Sequence, residues 1–170
     1  MDGRIEQRLV QLGIALPQPA APAGAYVPYV MTGSLLLVAG QLPIRDGVVI
    51  HHGRVGVELS IDDGIAAARL CGLNLLAQAR AACGGDLDRV QRVVRLAGFV
   101  HAAPGFAEHP KVLNGASELM ADVFGPAGRH MRIAVGAASL PLGVAVEIEE
   151  CSRSPGPSCP RIGRATATED

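Results

Sequence analysis

Apolar and polar positions alternate along the chain with periods that change several times, and each change marks an element. Ile5, Leu9 and Leu12 recur at helical spacing and Gly13 follows where a helix ends, which predicts a short amphipathic helix within residues 1–15. "PQPAAPAGAY" cannot continue it and reads as an extended connector. "YVPYVMTGSLLLVAGQLPI" predicts two short strands joined by a turn at Thr32 to Ser34, and the Asp46-Gly47 turn signal introduces a third extended piece around Val48 to His51. "SIDDGIAAARLCGLNLLAQARAACGG" is the clearest helix, with Ser60 as N-cap, Asp62 and Asp63 in the first turn and Gly84-Gly85 as the stop. Its inward stripe is expected to be Ile65, Ala68, Gly72, Leu75 and Ala79, with Arg69, Asn74 and Arg80 largely opposite.

Beyond this helix, "VQRVVRLAGFVHA" is rich in β-branched residues and predicts a strand, along which Arg92 and Arg95 alternate faces and make no single basic patch with Arg89. A second long helix begins near Pro110, turns Val112, Ala116, Leu119, Met120 and Val123 inward, and stops at Gly125-Pro126. Strands over 131–138 and 144–151 close the order. Read as an antiparallel hairpin, they put Met131, Ile133 and Val135 in the core with Val144, Val146 and Ile148. Arg132, Ala134, Glu147 and Glu149 then share the opposite face, with Ala134 across from Glu147.

The expected fold is α+β: a sheet with two long helices on one face, in a single domain over residues 1–151. The other face needs cover, most simply from another copy of the chain, so a homo-oligomer is expected. Residues 152–170, "SRSPGPSCPRIGRATATED", lack periodicity and read as a disordered tail.

Composition narrows the function classes. A formal net charge of −1 and 3% aromatic residues give no footprint for nucleic acid, and no run reaches the ~18 apolar residues of a membrane span. The charged start "MDGRIEQRLVQLGI" does not resemble an export signal, so the expected location is cytoplasmic. Cys71, Cys83, Cys151 and Cys159 have no C-x-x-C spacing and read as ordinary free cysteines. His51, His52, His101, His109 and His130 form no metal motif, and no G-x-S-x-G elbow marks a nucleophile. Neither metal nor cofactor is expected. What stands out is Arg132: a guanidinium on a closed-over face can hold a carboxylate with two parallel hydrogen bonds, and a nearby glutamate can orient a water. The plainer alternative is an interface salt bridge between Arg132 and Glu149. His130, two residues from Arg132, is a candidate proton donor at the rim.

The segments "YVPYVMTGSLLLVAGQLPI", "GDLDRVQRVVRLAGFV" and "MRIAVGAASLPLGVAVEIEE", in that order, resemble the Rid family, also called YjgF or endoribonuclease L-PSP, over about residues 20 to 150. The N-terminal helix and "APGFAEHPKVLNGAS" suggest a longer branch of it. The resemblance implies a chorismate-mutase-like fold and a homotrimer with clefts between subunits. It also implies cofactor-independent hydrolysis of 2-imino or enamine acids to 2-keto acids and ammonia. Arg132 then binds the substrate carboxylate, Glu147 helps place the attacking water, and Tyr26, Gly40 and Ala134 line the cleft. The family's Arg-Ser-Cys or Arg-Ser-Ala step is Arg132-Ile133-Ala134 here, without the cleft cysteine. A family asparagine falls on Ser117 or, with another gap placement, on Asn114. Two further readings stay open: a trimer that binds a small carboxylate metabolite without turnover, and a ribonuclease, which the balanced charge and few aromatics disfavour.

Overall fold

A computed structural model describes residues 3–22 and 24–155. Helix α1 (Arg4–Gln11) buries Ile5 and Leu9 and ends before Gly13, whose φ of 65° suits glycine. Strands β1 (Tyr29–Thr32) and β2 (Leu35–Gln41) form the first hairpin, and β3 (Ile44–Arg45) with β4 (Val48–Val49) a small separate one. Helix α2 (Ile61–Ala82) starts at a capping box in which Ser60 accepts from the Asp63 amide and Asp63 accepts from the Ser60 amide, and it stops at Gly84 and Gly85, both at positive φ. Strand β5 (Arg92–His101), helix α3 (His109–Phe124), strand β6 (Met131–Ala137) and strand β7 (Val146–Arg153) complete the fold.

The five-stranded sheet is mixed, in the order β1-β2-β7-β5-β6, with β6 parallel to β5 and every other pair antiparallel. Helices α2 and α3 pack side by side on one face. They approach closely because Gly115 has no side chain: a Cβ there would run into the Ile65 carbonyl and lie 3.0 Å from the Arg69 amide nitrogen. The core between helices and sheet holds Leu36, Val38, Leu75, Leu96, Leu113, Met120, Val146 and Ile148.

Four expectations are corrected. The final strands are not a hairpin: β5–α3–β6 is a parallel crossover that leaves β6 at the sheet edge, and the chain then passes over to lay β7 on the other side of β5. Ala134 therefore faces Gly98 of β5, and so does Ile148, instead of Ala134 pairing with Glu147. The faces of β6 are also reversed. Met131 and Ile133 are 62% and 44% exposed, while Arg132 and Ala134 turn toward α3. Small residues at 134 and 136 let the helix lie close on that side. Third, the domain does not end at 151: Ser152 and Arg153 pair with Leu36 and Leu35, and the Ser154 amide donates to the Ser34 carbonyl. Of the expected tail, residues 156–170, including Cys159, lie outside the described residues. Asn74 is buried too, donating to the carbonyls of Leu42 and Ile44 at 2.8 and 2.9 Å, so it fastens the β2–β3 segment to α2.

Candidate functional site

The residues singled out in the sequence fall into two groups on different parts of the chain. The first surrounds Arg132. Because Arg132 stands opposite Leu96, a core residue of β5, its side chain lies on the helix side of the sheet. There α3 presents Asn114 and Ser117, three residues apart and therefore on one helical face. Arg132 Nη1 donates to Asn114 Oδ1 at 2.9 Å and to Ser117 Oγ at 3.0 Å. Both readings of the family asparagine thus point to residues that hold the same guanidinium. With Nη1 engaged, Nε and Nη2 have no partner among the described residues, and these are two parallel donors of the kind a carboxylate accepts in a fork. Arg132 opens into a cleft of about 610 Å³ lined also by Ser117, Glu118, Arg129 and His130.

In its resting tautomer His130 turns a lone pair, not an N–H, toward Ser117 at the cleft. Its Nδ1 lies 2.6 Å from the Gly128 carbonyl and its Nε2 3.1 Å from Ser117 Oγ. A carbonyl only accepts, which assigns the ring proton to Nδ1 and leaves Nε2 to accept from the serine. Burial, with the Arg132 charge adding to it against the Gly128 hydrogen bond, holds this histidine below its ordinary pKa.

The second group surrounds Glu147. It stands opposite Phe99 of β5, which also stands opposite Val135, so Glu147 belongs to the sheet face away from the helices. A shift in the β2–β7 register between Val38 and Gln41 brings Gly40 beneath it. The Glu147 carboxylate rests against Gly40, where an added Cβ would collide with Oε1 and lie 3.0 Å from Cδ. Burial, then the neighbouring Glu149 charge, pushes the Glu147 carboxyl up from its ordinary value. Tyr26, half exposed, shares a small cavity of about 70 Å³ with Gly40, Pro28 and Gln41.

Within one chain, then, Arg132 and Glu147 do not share a face, contrary to the expectation from a hairpin. Nor does Glu149 pair with Arg132 in the chain; its ion pair, 3.4 Å long, is with Arg95 on the open face. Around that pair the open face exposes Met131, Ile133, Val135, Phe99, Leu35 and Leu37. Among the described residues no three His, Cys, Asp or Glu side chains gather as a metal site requires, and no helix is long and apolar enough to cross a membrane.

A family model described as "YjgF/chorismate_mutase-like, putative endoribonuclease" matches residues 6–148. Protein TCP17 of Trypanosoma cruzi is 51% identical over 148 residues, covering 86% of this chain and 92% of that protein. The crystal structure of Atu1372 from Agrobacterium tumefaciens, a protein of unknown function, is similar with a TM-score of 0.82 at 46% identity, covering 88% of this chain and 92% of the other. A Shewanella oneidensis structure described as a "putative endoribonuclease" has a TM-score of 0.85 at 38% identity, covering 89% and 99%.

Proposed function

Because this chain belongs to the YjgF/chorismate-mutase-like family, we propose that it hydrolyses 2-imino or enamine acids to 2-keto acids and ammonia, without a cofactor, in clefts between the subunits of a cytoplasmic homotrimer. The observation that carries this reading is the guanidinium of Arg132, braced through Nη1 by Asn114 and Ser117 while the residue lines a cleft. Bracing removes rotamer freedom before the substrate arrives, which strengthens the fork.

Glu147, Gly40 and Tyr26 form the complementary half. In the trimer they come from a neighbouring subunit, across an interface made by the exposed apolar residues of the open sheet face. The substrate carboxylate sits in the Arg132 fork, and its imine carbon faces the partner subunit's Glu147. That carboxylate takes a proton from water as the oxygen bonds to the imine carbon and passes it to the imine nitrogen, which restores the carboxylate. The resulting carbinolamine expels ammonia, and the carbonyl of the keto acid forms. A carboxyl raised from its ordinary value is a stronger base for this step than a solvated one.

One observation favours a second reading, a carboxylate binder without turnover: a single subunit supplies the Arg132 fork while its own Glu147 lies on the other face of the sheet. Ammonia release from imines generated by an amino-acid oxidase separates the two. The proposal expects the purified protein to accelerate release and Arg132→Ala to abolish the acceleration; keto-acid binding by calorimetry with no acceleration for any imine supports the binder.

A further inference from the structure

Imine hydrolysis leaves part of the Arg132 cleft unused. Ser117 Oγ receives a hydrogen bond from Arg132 Nη1 at 3.0 Å and stands 3.1 Å from His130 Nε2, the unprotonated ring nitrogen. The Gly128 carbonyl, 2.6 Å from Nδ1, fixes the tautomer and the ring plane. A hydroxyl, a base that can take its proton and a group that orients the base are the parts of an activated nucleophile, here gathered from a helix and the start of a strand. The guanidinium adds a fixed positive charge beside the oxygen that would become an alkoxide. Ser117, His130 and Arg132 all line the same cleft, so a substrate can reach the hydroxyl.

We infer that Ser117 is an acylatable nucleophile and that this cleft hydrolyses small carboxylic esters as a second activity. Ser117 Oγ bonds to the ester carbonyl carbon while its proton passes to His130 Nε2, and the negative charge on the carbonyl oxygen develops next to Arg132. The ester C–O bond then breaks as His130 returns the proton to the departing alcohol. Water, giving a proton to His130, attacks the acyl carbon; the carboxylic acid leaves and the serine regains its proton. No reductant, oxidant or metal enters the balance. Neither Glu147 nor an imine is involved, so the failure of this inference and of the deaminase reading are distinguishable.

The test is acid-quenched mass spectrometry of the full-length protein after brief exposure to p-nitrophenyl acetate, with peptide mapping of the acetyl group and p-nitrophenol release followed in parallel. The native protein is expected to carry acetyl on Ser117, and the urea-unfolded protein none there. His130→Ala should slow acylation by about 10²-fold or more, and Ser117→Cys, which keeps a nucleophile beside the base, should be acylated at the same position. Native protein without acetyl on Ser117 would overturn the inference whatever the variants do, as would ester turnover equal to wild type in a folded Ser117→Ala. In that event the Ser117–His130 contact serves only to hold Arg132.

Discussion

Arg132 and Glu147 lie on opposite faces of one sheet: Arg132 stands opposite Leu96 on the helix side, and Glu147 opposite Phe99 on the open side. The two residues therefore do different work and their losses should separate. Arg132→Ala removes charge-assisted hydrogen bonds to the substrate carboxylate and should weaken keto-acid binding by roughly 10²-fold. Glu147→Gln keeps the fork and should retain binding while lowering kcat by about 10²-fold. The pH profile should carry the same signature. Glu147 acts as a base only when ionised, so activity falls as pH drops through its raised pKa, at a pH above that of an ordinary glutamate. Calorimetry and a pH–rate series check both.

The open face makes its own prediction. Ile133 is 44% exposed among Met131, Val135 and Phe99, a patch of the kind that marks an interface. Ile133→Asp places a charge at the centre of the proposed trimer contact, on an exposed side chain outside the buried core. Light scattering should show a trimer for wild type and a monomer for the variant, with the helical signal in circular dichroism unchanged; a wild-type monomer would remove the shared site altogether.

How much of this was legible in the sequence depended on whether the signal was local. Caps and stops announce themselves within a few residues, so Ser60, Gly84-Gly85, Gly13 and the breaks at Gly125-Pro126 located α1, α2 and α3. The faces of β7 were legible because Val146 and Ile148 alternate with charged glutamates. Strand β6 offered no such contrast. Its odd positions begin with Met131, Ile133 and Val135 and its even ones are Arg132, Ala134 and Gly136, and which set meets a helix depends on α3 crossing over β5, a non-local fact. The same non-local step hid the neighbours of β6 and β7, and so the separation of Arg132 from Glu147. Asn114 and Ser117 looked like alternatives in the sequence, yet their spacing of three residues places both on one helical face.

Asn114 braces Arg132 without reaching into the fork. Asn114→Ala leaves the guanidinium its charge and its bond to Ser117 but frees it to reorient, a loss of about 1 kcal/mol, or roughly fivefold in affinity for a keto acid. Titration calorimetry should show that loss, and Asn114→Asp, which keeps an acceptor for Nη1, should restore part of it.

Glu150 supplies a pH dependence of stability unconnected with catalysis. Buried opposite Val38 and Leu96, it accepts a hydrogen bond from Ser152 through Oε1 while Oε2 has no partner, and burial pushes its carboxyl up to about 7, against the Ser152 bond. The folded state thus holds a proton that the unfolded chain releases near 4.5. The stabilisation from that proton is full below pH 4.5 and is lost as pH rises to about 7, an effect of about 3 kcal/mol. Glu150→Gln should flatten this part of the stability curve and raise the urea midpoint at pH 8 relative to wild type.

The central claim is that one imine-hydrolysing site takes Arg132 from one subunit and Glu147 from the next. It is tested most directly by mixing Arg132→Ala and Glu147→Gln subunits, unfolded and refolded together in equal amounts, and following imine loss by semicarbazide trapping. Each variant alone should keep no more than about a hundredth of the wild-type rate. Random mixing in a ring of three restores, on average, about one intact site in four, so about a quarter of wild-type activity should return. If the mixture is as inactive as its parents while refolded wild type recovers, or if either variant alone matches wild type, the shared site is contradicted.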